Sequence, residues 1–143
     1  RRTKEYPMNE MTPENRLLLT KATMSILDSW KLGAKEMNAV LGLPREVRAR
    51  GLQKFRSHES FPDDPGVDRR ADYILRIAGA LRTTYPTNPN MAPIWLRRAH
   101  RRLGRTPLSL LLQEGEGGLV RVLAELDCTV CWDLTDARFN AKG

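Results

Sequence analysis

The chain has 143 residues, with 24 Lys and Arg against 17 Asp and Glu, a formal net charge of +7. A chain this long buries roughly two thirds of its unfolded surface, so one domain, or two small lobes sharing a core, can fold without metals or disulfides. Its 41% hydrophobic and 29% charged residues are ordinary globular values, and 6% aromatics argue against a base-stacking platform for single strands. The cationic excess favours an acidic or polyanionic partner, nucleic acid being the commonest. The longest leucine cluster, Leu108 to Leu112, falls far short of a membrane span, so no membrane partner is expected. No apolar stretch follows Arg1-Arg2-Thr3-Lys4-Glu5, so no signal peptide is expected and the cytoplasm is the expected location.

Residues 1–13 are polar, carry Pro7 and Pro13 and show no periodicity, which predicts a mobile arm. Thr12-Pro13-Glu14-Asn15 then combines a capping hydroxyl, a first-turn proline and an early acid, the signature of a helix start. That helix would carry Leu17, Leu18, Met24, Leu27 and Trp30 on its apolar face and end at Gly33. A short helix over Ala34 to Leu41 meets Gly42, and Pro44 opens a second short helix from Arg45 to Phe55 that buries Val47, Leu52 and Phe55. Helix, glycine turn, helix is the helix-turn-helix pattern.

Ser57 to Gly66 reads as a proline-rich loop in which Asp63-Asp64 caps the next helix. From Val67 the positions Val67, Ala71, Ile74, Ala78, Leu81 and Tyr85 form one helical stripe, which Pro86 stops. After a turn at Thr87 to Asn90, Trp95, Ala99 and Leu103 recur at i, i+4 and i+8, predicting a helix that ends at Gly104. Thr106-Pro107 starts another short helix with Leu108, Leu111 and Leu112. Gly115, Gly117 and Gly118 precede a last one with Leu119, Val122, Leu123 and Leu126 inside. No segment alternates convincingly, so the fold class is all-α.

Candidate chemistry is sparse. Lys35, Arg45, Arg48, Arg50, Lys54 and Arg56 surround the second short helix, where guanidinium groups can hold phosphates or fork onto guanine edges; a merely solvated basic face explains the same residues. Arg97, Arg98, Arg101, Arg102 and Arg105, with His100, would lie outside the Trp95–Leu103 stripe, either as a partner surface or as ordinary solvation. Cys128 and Cys131 lack the further ligands that structural zinc needs and the βαβ setting of a redox pair, so paired inert thiols are the simpler reading. Gly115-Glu116-Gly117-Gly118 lacks a preceding strand and reads as a helix entry rather than a phosphate cradle. Neither His58 nor His100 sits beside a nucleophile in a recognised turn, so no catalytic residue, metal or cofactor is expected.

The C-terminal motifs carry a resemblance. Trp95-Leu96, then Leu103-Gly104-Arg105-Thr106-Pro107-Leu108-Ser109-Leu110-Leu111, then Glu114-Gly115, then Val120 to Leu126, resemble the toxin-binding domain of the Xre/ParS/MbcA antitoxin family. Residues Leu17 to Tyr85 are similar to that family's Xre-like helix-turn-helix region. The resemblance implies an arm over 1–13, a helix-turn-helix region over 14–86, and a toxin-binding domain with a tail over 87–143. It also implies a cognate toxin that consumes NAD, either a RES-type enzyme or an ADP-ribosyltransferase, blocked at its active site. A homodimer that binds operator DNA at its own promoter and represses its operon is implied as well. Carried over by position, the toxin contacts are expected at Arg105, Pro107, Leu108, Leu111, Gly115, Gly118, Trp132, Asp133, Arg138 and Phe139. A tail that orders on binding can plug a cleft with its aromatic and Arg anchors. The competing expectations are a transcriptional regulator with no toxin partner and, from another class, a small NAD-turning enzyme.

Overall fold

In the computed structural model, which describes residues 12–127, helix α1 spans Pro13–Ser29 and begins at the predicted cap, Asn15 N donating to Thr12 Oγ1 at 3.1 Å. Residues 1–11 of the arm, Cys128, Cys131, Trp132, Asp133, Arg138 and Phe139 lie outside the described residues, while Thr12 and Pro13, placed in the arm by sequence, form the start of α1. Helix α1 buries Thr20, Thr23, Met24 and Leu27, and Trp30 follows them inward. Leu18 does not join that face: it is 65% exposed, on the side where Lys21 and Ser25 also meet solvent. The two buried threonines are satisfied locally, Thr23 donating to Leu19 O at 2.7 Å, and Thr20 donating to Arg16 O at 2.8 Å while accepting Phe61 N at 2.9 Å.

The first helix also ends earlier than predicted. Trp30 is its C-cap, and Lys31 rather than Gly33 takes the left-handed turn, at φ +64°. Leu32 N reaches Leu27 O at 3.3 Å and Lys31 N reaches Asp28 O at 2.9 Å, with Leu27 and Leu32 both buried; this is the Schellman arrangement. Gly33 is instead the extended N-cap of α2, its N–H held by Glu36 Oε1 at 2.9 Å.

Helix α2 (Ala34–Leu41) has the predicted bounds, closed by Gly42 at φ +64°. The next helix, α3 (Ala49–Ser57), starts four residues later than Pro44 and Arg45 suggest. Asn38 explains the delay. Its side chain accepts Val47 N at 2.8 Å and donates to Val47 O at 2.6 Å, occupying the carbonyl that a helix through Val47 would offer to Gly51 N. Gly51 then sits so close to Val47 that a Cβ would lie 2.7 Å from Cγ1.

Helix α4 (Pro65–Thr84) begins two residues before Val67, because Asp64 caps it by accepting Gly66 N at 2.7 Å and Val67 N at 3.3 Å. At 1.5 Å per residue it is about 30 Å long and serves as the spine. It buries Val67, Ala71, Ile74, Ile77 and Leu81, and packs against α1, α2 and α5. Ile77 lies on this face where the predicted stripe skipped it; Ala78 and Tyr85 are only half-buried. Helices α5 (Met91–Leu96) and α6 (Pro107–Gln113) pack on one another, and α6 also meets α2. Helix α7 is described over 115–127 and opens on Gly115 at φ +59°, so Gly117 and Gly118 belong to it rather than preceding it. Gly118 is required there: a Cβ would collide with the Leu110 carbonyl oxygen of α6.

One continuous apolar core runs from Met24 and Leu27 of α1 through Leu52 and Phe55 of α3 and the spine to Leu110, Leu119, Val122 and Leu126. The described residues are all-α; their only β-type pairing is an isolated bridge between His100 and Arg105.

Candidate partner-binding surfaces

Two cationic regions stand on this frame. The first surrounds α2 and α3. Lys35 lies in the first turn of α2, Arg45 in the connection, Arg48 at the N-cap of α3 and Arg50 in its first turn; all four are exposed. Among the described residues none of the four has a carboxylate within ion-pair reach. The other two predicted cations are committed to the protein itself. Arg56 forks onto Asp28 with two hydrogen bonds of 2.7 Å, which raises its pKa above the usual arginine value. Lys54 Nζ lies 3.4 Å from Glu59 Oε2 and 5.2 Å above the Phe55 ring centroid. The uncompensated charge therefore gathers at the N-terminal end of α3, which no side chain caps, so the helix dipole adds to it.

The second region is the segment from 97 to 105, and here the expected helix is absent. Helix α5 stops at Leu96 because side chains take the carbonyls that would carry it onward. Arg97 Nη1 donates to Pro93 O at 3.1 Å, and His100 Nε2 contacts Trp95 O at 3.0 Å with its ring 4.6 Å from the indole. A chain of turns follows, in which Ala99 is exposed, Leu103 buried and Gly104 at φ +74°. The arginines thus fan out from turns instead of lining one helix face. Arg97 Nη2 reaches across to Lys31 O at 3.0 Å, fastening the segment to the end of α1. Arg105 is tied at the other end, donating to Ser109 Oγ at 2.9 Å, to Gln113 Oε1 and to Glu114 Oε2 at 3.4 Å. Arg121 shares Glu114, at 3.3 Å.

Of the predicted toxin contacts within the described residues, Arg105 and Gly115 are partly open, whereas Pro107, Leu108, Leu111 and Gly118 face the interior. The side chains outward around them are Val120, 42% exposed, Gln113 and Arg121. Arg70 escaped notice in the sequence. Its guanidinium donates to Ala39 O at 3.2 Å and Val40 O at 3.4 Å, and it fills the space in front of Gly42 and Gly115, joining the end of α2 to the start of α7. Two glycines that both need φ > 0 were the available signal.

Among the described residues one hydroxyl–imidazole contact is present, Ser57 Oγ at 2.9 Å from His58 Nδ1, exposed at the end of α3. Among the described residues no group of three or more His, Cys, Asp or Glu is placed to hold a metal ion, and no helix is long and apolar enough to cross a membrane.

Comparison with known proteins adds one finding. No curated protein matches the chain. The sequence model of the antitoxin Xre/MbcA/ParS C-terminal toxin-binding domain matches residues 80–128, the end of α4 through α7. The Pro-Leu-x-Leu-Leu helix capped by Thr106 and the glycine-tight crossing of α6 and α7 both lie inside the match. Residues 80–128 therefore carry a toxin-binding domain of the Xre/MbcA/ParS antitoxin type.

Proposed function

We propose that the protein is the antitoxin of a type II toxin–antitoxin pair, that its toxin consumes NAD as a RES-type enzyme or ADP-ribosyltransferase, and that it also represses its own operon. The match over residues 80–128 carries this reading. Neutralisation requires no chemistry from the antitoxin: helices α5 to α7 and the residues after them cover the mouth of the toxin's active site and exclude its substrate. Arg105 and Gly115 would lie at that contact, with the buried Pro107, Leu108, Leu111 and Gly118 holding the surface in shape. Trp132, Asp133, Arg138 and Phe139 would supply the anchors.

DNA binding is supported by the charge left open around α2 and α3. Arg50, in the first turn of α3, is the candidate for base edges, because recognition helices read the major groove with their N-terminal residues. Lys35, Arg45 and Arg48 flank it as phosphate contacts, while Lys54 and Arg56 mainly brace α3 against its neighbours. A homodimer would present two such units to operator half-sites about 34 Å apart.

The test is co-expression with the protein encoded by the adjacent gene. The expected outcome is a stable complex in which the partner's NAD consumption is suppressed, together with salt-sensitive binding of the chain's own promoter DNA. A chain that binds promoter DNA but leaves the neighbour's activity untouched is a regulator without a toxin. NAD turnover by the purified chain alone would overturn both readings.

A further inference from the structure

Lys31, at the junction of α1 and α2, breaks a local rule. The left-handed C′ position of a Schellman turn is the usual place of glycine, since a side chain at φ near +60° is strained. A lysine there keeps an ammonium group at a spot where the backbone favours its removal. Its surroundings add repulsion, because Arg97 and Arg98 border the same shallow concavity, with Asn90, Pro93 and Ile94 completing it. The acid nearest in sequence, Asp28, is occupied by Arg56. Among the described residues Lys31, Arg97 and Arg98 have no carboxylate within ion-pair reach. Within this cationic ring Ile94 is 45% exposed.

Strain, unanswered charge and an exposed aliphatic side chain meet at one place, and backbone strain of this kind clusters at binding sites. We propose that Lys31, Ile94 and Arg98, with Arg97 as the strut that holds them together, form a docking face for a protein segment that presents carboxylates around an apolar side chain. The isoleucine decides between partners. A phosphodiester backbone gains nothing from an aliphatic contact, whereas an acidic segment with a leucine or phenylalanine buries Ile94 and pairs with the ring. Arg97 is a positioning residue, because it donates to Pro93 O and Lys31 O and so joins the two sides of the face. That this segment belongs to the toxin rests on the function proposed above; the chemistry of the face does not.

The experiment uses the full chain and fluorescence anisotropy of two short labelled peptides, one alternating Glu with Leu and one alternating Glu with Gly. The Glu-Leu peptide is expected to bind more tightly than the Glu-Gly peptide. Arg98→Glu should weaken it about tenfold, and Ile94→Ser should remove the preference for leucine. Lys31→Gly relieves the strained turn, so it should raise the melting temperature while weakening the peptide; this variant folds in either case. Equal binding of both peptides, or Lys31→Gly with unchanged affinity, would overturn the proposal. So would ready displacement of the peptide by a DNA duplex with Ile94→Ser silent, which would mark a nucleic-acid surface. Toxin capture that survives Arg98→Glu and Ile94→Ser removes this face and leaves the antitoxin reading intact. Peptide binding without toxin capture does the reverse.

Discussion

Around α3 and along the segment from 97 to 105 the protein carries comparable numbers of cations, yet it disposes of them differently. At α3 the acids come from the neighbouring elements, Asp28 from α1 and Glu59 from the following loop, and they take the C-terminal half of the helix. What remains is a compact positive end at Arg48 and Arg50. Along 97 to 105 Glu114 and Gln113 hold Arg105 at one extremity, and backbone carbonyls hold Arg97 without cancelling its charge. The comparison teaches that an arginine run announces neither its partner nor its surface. What matters is which charges the fold leaves unanswered, and what stands between them. At α3 that is a helix terminus; at the other site it is an isoleucine.

Substitutions can break this comparison, and the largest effect is expected at Gly118. Gly118→Ala drives a methyl into the Leu110 carbonyl and should cost about 3 kcal/mol of stability, measured by denaturant unfolding, because neither backbone can withdraw. A loss below about 0.5 kcal/mol would mean that α6 and α7 slide easily, and the toxin-binding half would then lack a fixed shape.

Next comes the charge itself. Arg48→Ala with Arg50→Ala should weaken promoter DNA binding by about 1 kcal/mol or more per residue and flatten its salt dependence by about one unit for each phosphate no longer neutralised. Arg98→Ala with Arg101→Ala should leave DNA binding as it was. Identical effects of the two pairs would erase the distinction between the regions.

Asn38→Ala removes both hydrogen bonds from Val47 and should cost about 2 kcal/mol, with DNA binding falling in parallel because the start of α3 is no longer held. Lys31→Gly should stabilise the fold by about 1 kcal/mol. The smallest effect belongs to Asp28→Ala. Losing a half-exposed ion pair should cost under about 1 kcal/mol, while the released Arg56 steepens the salt dependence of DNA binding.

Much of the helical skeleton is legible in the sequence wherever a single residue controls the backbone. Thr12, Asp64 and Thr106 cap the helices that follow them, Gly42 closes α2, and Pro86 follows the end of α4. Two of the misreadings share a cause. Pro44 and the Trp95, Ala99, Leu103 spacing are good local signals for helix, but side chains nearby in the chain claim carbonyls that those helices need. Asn38 takes Val47, and His100 takes Trp95 O. Periodicity cannot show such competition, because it records which residues are apolar and not which carbonyls are already occupied. The candidate sites were legible as residue types only. Lys54 and Arg56 cannot be told from Arg48 and Arg50 until the fold shows where Asp28 and Glu59 lie, and Lys31 emerged only with its dihedral.

The spine helix has a consequence for anyone grafting these parts. The family match begins at residue 80, inside α4, while the same helix sends Val67 and Ala71 into the core shared with α1 and α2. A chimera joined at the Pro86 turn would therefore part α5 from the rod it packs against and α7 from Arg69 and Arg70 of that rod, leaving an apolar flank bare on each piece. Recombination that preserves both pieces must carry the whole rod along, so either surface should change more readily by point substitutions than by shuffling halves.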